Sequence, residues 1–358
     1  MSGKIVHIAT AVPEHAYLQS DILAFMHATY AEDRDTHRLL NMLYRSTGIA
    51  RRHSVLADYK MQGEGRLFRD FEHVPGLSAR LATYQDAALK LGQQVAEECL
   101  KERCEATEIT HLITVSCTGL FAPGLEFQLM DALNLSSETQ RHPINFVGCY
   151  AAVPALNLAQ TICAANPEAR VLLVSVELCT LHFQRSTDRD TLMANALFSD
   201  GAAACLIVGE AVDLEADYRL GSYHAEVHRD GDSAMTWIPS EKGFLMRLSS
   251  YVPKLIRKEI AEFVGTSLEK ASVSASNVAW AFHPGGIQIL RKLEEALDIE
   301  ASELAVSYDV LREFGNMSSP TVLFVLARLM AEKNTASHLY ACAFGPGLTF
   351  ESIILDHV

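Results

Sequence analysis

The chain has 358 residues, 49% of them hydrophobic and 21% charged, with a net charge of −14. This is ample material for a large core, and the acidic balance excludes nucleic acid as a bulk partner, because phosphate binding needs clustered cations. The eight cysteines (99, 104, 117, 149, 163, 179, 205, 342) show no metal-type pairing, and the longest apolar runs fall short of a membrane span. The start, Met1 to Ala11, is too short and too polar for a secretory signal. A soluble cytoplasmic protein with reduced thiols and no metal is expected.

Residues 4–11 read as a first strand. The segment 19–43 reads as amphipathic helix broken near Glu32-Asp33-Arg34-Asp35, and 54–80, with Gly63, Gly65, Pro75 and Gly76, as an irregular surface segment. Residues 82–104 carry a helical apolar period (Ala87, Leu91, Val95, Cys99) and a basic end at Lys101 and Arg103. Short buried strands are expected at 111–116, 143–147 and 171–176. An almost wholly apolar helix is expected at 149–165, and a short one at 191–198 before a strand beginning at Gly201. The second half repeats this order: helix 251–264, strand 278–282, helix 286–297, a second central helix at 317–332 and a buried strand at 339–344. Alternating strands and helices with continuous apolar runs predict an α/β fold whose sheets are covered on both faces. The halves meet near 210–217, which gives domains 1–212 and 213–358.

The repeat is visible in detail. Gly148-Cys149-Tyr150-Ala151-Ala152-Val153-Pro154 and Gly315-Asn316-Met317-Ser318-Ser319-Pro320-Thr321 each place a reactive or polar residue after a glycine, ahead of an apolar helical stretch. Cys117-Thr118-Gly119 lies 32 residues before Cys149, and His283-Pro284-Gly285 lies 33 before Asn316. Both halves also end in a glycine before an apolar strand, at Gly201 and Gly347.

A thiol at the start of a buried helix feels unpaired N–H groups and the positive end of the helix dipole, so Cys149 is expected as a thiolate nucleophile. The other seven cysteines read as small buried hydrophobes. His283, at the C-terminal edge of a buried strand, points toward the crevice where α/β proteins place ligands, and it can pair with the thiol and donate to a developing oxyanion. Taken alone Asn316 is an N-cap, but its register with Cys149 makes it a neutral donor for an enolate, one that does not hold a departing carboxylate in place.

Five motifs in order carry a resemblance over nearly the whole chain: Val147-Gly148-Cys149-Tyr150-Ala151, Ala196-Leu197-Phe198-Ser199-Asp200-Gly201-Ala202-Ala203-Ala204, His283-Pro284-Gly285-Gly286, Gly315-Asn316-Met317-Ser318-Ser319 and Phe344-Gly345-Pro346-Gly347-Leu348-Thr349. The chain resembles type III polyketide synthases, the chalcone and stilbene synthase family, in their bacterial form. The resemblance implies a thiolase fold of duplicated α/β halves in a five-layered αβαβα arrangement, a homodimer, and a Cys149-His283-Asn316 triad. It implies no carrier protein and no cofactor beyond coenzyme A thioesters as substrates. It makes Phe198 the aromatic gatekeeper between the coenzyme A tunnel and the cavity, and maps the coenzyme A phosphate contacts near Arg38 and Arg45.

The same resemblance assigns the cavity. Cys117 and Cys179 stand where plant enzymes have threonines, His182 follows them, and Thr118, Ser318 and the Gly345-Pro346-Gly347 loop complete the wall. Met246 replaces a second gatekeeper Phe, Trp237 falls near a cavity glycine and fills one side, and Ala122 is smaller than the methionine that crosses the plant dimer interface. This pattern is expected to suit an aliphatic acyl-CoA starter, extended with malonyl-CoA to an alkyl-pyrone or alkyl-resorcinol. Three alternatives stand beside it. One is a malonyl-primed small polyhydroxy-aromatic synthase of the tetrahydroxynaphthalene type. Another is a ketoacyl synthase III-like enzyme priming fatty-acid synthesis, whose His motif has a Gln and an Asn where this chain has Pro284-Gly285-Gly286. The last is a non-catalytic acyl-CoA binder, which has no need of the triad.

Overall fold

A computed structural model describes residues 3–30, 33–59, 67–68, 74–231, 234–249, 251–332 and 336–358. Nine strands form one sheet in the order Val278–Phe282, His338–Gly345, Thr349–His357, Tyr218–Val227, Lys4–Ala11, Asp200–Val208, Arg170–Leu178, His111–Ser116, Gln140–Asn145. Four strands on one side and five on the other meet at a thin seam, where only Lys4↔Arg219 and Ile5↔Tyr218 pair. Moving outward from the seam, both sides run antiparallel, antiparallel, then parallel. The duplication legible in the motifs is therefore present in the strand pairing.

The strands are apolar on both faces because helices cover both. Leu77–Leu100 packs on the outer face of the N-terminal half, and Val252–Ala271, with Ile287–Leu297 against it, on that of the C-terminal half. Ala152–Ala165 and Thr321–Ala331 lie between the half-sheets and touch both, which makes five layers with three apolar cores. Two helices sandwiched this way must be apolar all round, as their sequences are. Among the described residues no helix is long and apolar enough to cross a membrane.

The differences from the expected elements have local causes. The two central helices begin at Ala152 and Thr321, three and four residues later than expected. Left-handed backbone at Gly148 (φ +114°) and Ser318 (φ +61°) keeps the preceding residues out of helix, so the motif residues lie on turns. The strand expected at 143–147 is Gln140–Asn145, an edge strand that is half-exposed where burial was expected. The hairpin Met235–Ser240/Gly243–Leu248 and the helix Ala305–Phe314 have no counterpart in the expected elements. Glu32, Gly63 and Gly65 lie outside the described residues.

Leu326 is fully buried in the central helical layer. Leu326→Ala should lower unfolding free energy by about 2–5 kcal/mol, the cost of a buried cavity, read from urea denaturation of the purified variant.

Candidate active site

The turn Gly148 to Ala151 enters the first central helix, and the loop after His338–Gly345 presses on it. A Cβ on Gly148 would lie 2.2 Å from Pro346 Cδ, and one on Gly345 only 3.3 Å from the Cys149 backbone nitrogen. Glycine at both places lets two backbones meet directly over the thiol. On the other side, Asn316 ties the halves together. Its N–H donates to the Leu197 carbonyl (3.0 Å) and its carbonyl accepts from the Ser199 N–H (2.9 Å), so Phe198 and Asn316 form a two-residue bridge between the halves.

The Asn316 side chain continues the link. Its Nδ2 donates to the Gly285 carbonyl (3.1 Å), just after His283, and its Oδ1 accepts from the Ser318 N–H (2.8 Å). The Ser318 hydroxyl in turn faces the Cys149 thiol closely enough to favour its ionisation. The His283 loop, Asn316 and Ser318 are thus joined by bonds beside Cys149, all buried. Asn316 does not cap a helix, because the helix that follows begins only at Thr321. Among the described residues its Nδ2 makes one bond, to Gly285, which leaves its second hydrogen available.

Burial dominates the electrostatics. It pushes the Cys149 thiol up to about 12, with the buried Glu177 carboxylate adding to the rise and Ser318 opposing it. This reverses the thiolate expected from the helix start, because the thiol sits on the turn ahead of that helix and lies in a water-free surround. Burial likewise pushes the His283 imidazole down to about 3, so it is neutral at ordinary pH. Among the described residues neither buried His283 ring nitrogen has a hydrogen-bond partner, and no such bond joins it to Cys149. An imidazole left open at both nitrogens offers one acceptor and one donor to a bound ligand.

A cavity of about 50 Å³ opens beside the thiol. Cys149, Cys117, Thr118, Cys179, His182, Phe198, Trp237, Met246, Ser318 and Pro346 all contribute to its wall. Gly345 touches Cys149 from behind the wall, and neither it nor Gly347 lines the space. Ala122 is not part of this cavity and is exposed on the turn before the helix Leu125–Ala132. Arg38 and Arg45 are also away from it. Both are exposed on the helix Arg34–Ser46, and Arg38 pairs with Asp35 at 3.3 Å.

The wall is rigid on one side. Trp237 donates its indole N–H to the Cys117 carbonyl (2.7 Å). His182 donates from Nε2 to the Thr118 carbonyl (2.7 Å), accepts the Phe244 N–H at Nδ1 (3.1 Å), and stacks on the Phe244 ring at 4.2 Å. Both its nitrogens are occupied, which leaves it no acid–base role.

Two site residues escaped the sequence reading. Glu177 is fully buried and accepts from the Cys117 N–H (3.0 Å), the Thr118 hydroxyl (2.8 Å) and the Ser319 hydroxyl (2.8 Å). Burial pushes its carboxyl up to about 7 against those bonds. A single acid inside the apolar run Val176-Glu177-Leu178 was the available signal. Arg52, a buried cation in the cavity wall, gave only the weak signal of an Arg pair.

Comparison with known proteins agrees with this geometry. The profile of chalcone and stilbene synthases, N-terminal domain, matches residues 2–211, and that of the C-terminal domain matches 224–358. Probable polyketide synthase 1 of Dictyostelium discoideum is 29% identical over 364 residues, 99% of this chain, which spans only 11% of that much longer protein. Type III polyketide synthase 21 of Oryza sativa subsp. japonica is 31% identical over 362 residues, 98% of this chain and 92% of that protein. Among solved structures, PKS-I from the brown alga Ectocarpus siliculosus superposes with a TM-score of 0.94 at 27% identity, covering 100% of this chain and 98% of that one. The 1,3,6,8-tetrahydroxynaphthalene synthase of Streptomyces coelicolor A3(2), a bacterial type III polyketide synthase, gives 0.89 at 27% identity with 99% of each chain covered.

A thiol raised by burial ionises only above neutrality. Alkylation of Cys149 by iodoacetamide, followed by peptide mass spectrometry, should therefore accelerate about tenfold per pH unit from pH 7 to 9. A rate already level at pH 7 would show a pre-formed thiolate instead.

Proposed function

We propose, for a chain that belongs to the chalcone and stilbene synthase family and is a type III polyketide synthase, that Cys149, His283 and Asn316 divide the chemistry of acyl transfer between them. The Cys149 sulfur attacks the carbonyl of an acyl-CoA starter while its proton passes to the free His283 nitrogen. That proton then leaves with coenzyme A as its thiol. Malonyl-CoA next loses carbon dioxide, and the enolate oxygen is received by the His283 N–H and the free Asn316 amide hydrogen. The enolate carbon attacks the Cys149 thioester, a carbon–carbon bond forms and the sulfur leaves. Returning the lengthened chain to Cys149 allows another round. The observation behind this reading is the pair of bonds that join the His283 loop, Asn316 and Ser318 beside Cys149, with both imidazole nitrogens open among the described residues.

Two neutral donors suit this chemistry. A cation at the same place would hold the malonyl carboxylate and oppose its loss, whereas preformed neutral dipoles stabilise the oxyanion that develops. The exposed apolar Leu120 and Phe127 flank Ala122, and we assign this face to a second copy of the chain, making a homodimer. Its thioester substrates and free thiols fit a cytosolic setting.

For the product, the geometry favours a compact polyketide built from malonyl-CoA on a short or malonyl starter. Trp237 and His182 fix one wall of the cavity through their bonds to Cys117 and Thr118. The space behind Cys117 is filled by the polar group of Glu177, Thr118 and Ser116, with the Tyr84 hydroxyl on Ser116 at 2.6 Å. Polar groups at that place disfavour an aliphatic tail. The similarity to a tetrahydroxynaphthalene synthase supports the same reading. The aliphatic starter and alkyl-pyrone or alkyl-resorcinol product form the second reading, supported by the small side chains of Cys117 and Cys179 at the wall.

Two experiments test these assignments. Cys149→Ser should keep the fold and lose acyl loading, and Asn316→Ala should load a starter yet release carbon dioxide from malonyl-CoA about 10²-fold more slowly or worse. Normal decarboxylation by Asn316→Ala would refute the division of roles. In a panel of malonyl, acetyl, hexanoyl and dodecanoyl-CoA starters, dodecanoyl-CoA should show kcat/KM at least about tenfold below the short starters, since the polar groups behind Cys117 disfavour the methylenes. A preference for dodecanoyl-CoA would replace the compact reading with the aliphatic one.

A further inference from the structure

We infer that Arg52 is a positioning residue for malonyl decarboxylation, one that fixes Phe198 and Asn316 without reaching the reacting atoms. The inference rests on the reading of Asn316 given above. Arg52 lies on the strand Arg51–Ser54, is 4% exposed, and makes no ion pair among the described residues. Asp200 is within electrostatic reach, but its carboxylate is taken by Thr180 and the Val55 N–H. The guanidinium is instead aimed at a helix end. Nη1 donates to the carbonyls of Asn195 (2.7 Å) and Phe198 (2.8 Å), and Nε donates to Gln19 Oε1 (2.8 Å). Gln19 then donates from Nε2 to the Ala196 carbonyl (2.8 Å).

The helix Arg189–Leu197 therefore ends on one buried donor unit. Its last carbonyls, which no intrahelical N–H can reach, meet Arg52 and Gln19 at the negative end of the helix dipole. The carbonyl left over, that of Leu197, is the one that accepts the Asn316 N–H. Arg52 also touches the far side of the bridge, because a Cβ on Gly315 would lie 3.0 Å from Arg52 Cγ. The side chain thus packs against Gly315 while its nitrogens hold residues 195–198. Both strands of the bridge between the halves are referenced to one guanidinium. A lysine would supply the charge without the planar fork that reaches two carbonyls and an amide at once. Only Nη2 lacks a partner, and Arg52 forms the cavity wall together with Asn195 and Phe198.

A displaced Asn316 should slow decarboxylation more than acylation, since loading needs Cys149 and His283, which Arg52 does not touch. Arg52→Met and Arg52→Lys would be compared with wild type for melting temperature, acylation of Cys149 by intact mass, and carbon dioxide release from malonyl-CoA. The expected result is a ratio of decarboxylation to acylation lowered at least about tenfold in both variants, the scale for misplacing a catalytic group by a fraction of an ångström to an ångström. Added guanidinium ion should restore part of that ratio in Arg52→Met. If Arg52→Met does not fold, Arg52→Lys still decides the matter, because it keeps the charge and loses the fork. Two rates falling in the same proportion as the melting temperature would reduce Arg52 to a structural residue and overturn the inference. Asn316→Ala separates the layers of the argument. Normal decarboxylation in that variant removes the Asn316 assignment itself. Loss there, with an unchanged ratio in the Arg52 variants, removes only the inference about Arg52.

Discussion

Two backbone hydrogen bonds between Asn316 and the Leu197–Ser199 segment hold the site together. They join a turn of the C-terminal half to the end of a helix in the N-terminal half, where the sheet itself is joined only by a two-pair seam. Each such bond is worth only about 1 kcal/mol net, but a buried peptide group left unpaired costs about 1–3 kcal/mol. The register of the bridge is therefore strongly specified, and with it the place of Phe198 at the cavity wall and of Asn316 beside the His283 loop. Cys149 is brought to the same point by the close approach of Gly148 and the Gly345-Pro346 loop. Duplication explains the convergence, since matched turns of two similar halves meet at one place between the central helices.

Burial is the second constraint. It keeps the thiol, the imidazole and much of Glu177 from carrying charge near neutral pH. An enzyme that decarboxylates a malonyl thioester gains from this. The donors beside the thiol, His283 and Asn316, are neutral, and Arg52, a cation in the cavity wall, has Nε and Nη1 held by Gln19 and by the Asn195 and Phe198 carbonyls. Glu177 is the one buried carboxyl close to the three cavity thiols, and its hydrogen-bonded partners Thr118 and Ser319 fill the floor on the side of Cys117.

Much of this was legible in the sequence. The matched Gly-Cys and Gly-Asn elements located the duplication and the three polar residues of the site, because a repeat restricts where equivalent turns can lie. Most cavity residues were legible through family resemblance, which encodes position without showing direction. Ala122, read at a dimer interface, and Arg38 and Arg45, read as phosphate contacts, are exposed and do not line the cavity, so a single chain leaves those roles open. Alignment along the chain says nothing about which way a surface loop or an amphipathic helix faces. The opposing effect of burial on the Cys149 thiol was not legible either. The pattern marks a helix start, but left-handed backbone at Gly148 sets that start three residues later, and the extent of burial is a tertiary property. Glu177 and Arg52 act through partners far along the chain, 142 residues away for Ser319 and 146 for Phe198, and no local pattern reports such pairings.

The most direct test of the account is a crystal structure of the enzyme acylated with a starter, with the site of acylation confirmed by peptide mass spectrometry. The acyl group should sit on Cys149, with its carbonyl oxygen within roughly 3.2 Å of both a His283 ring nitrogen and Asn316 Nδ2, the reach of an oxyanion donor. An acyl group on Cys117 or Cys179, or a Cys149 thioester whose oxygen faces away from both His283 and Asn316, would contradict it.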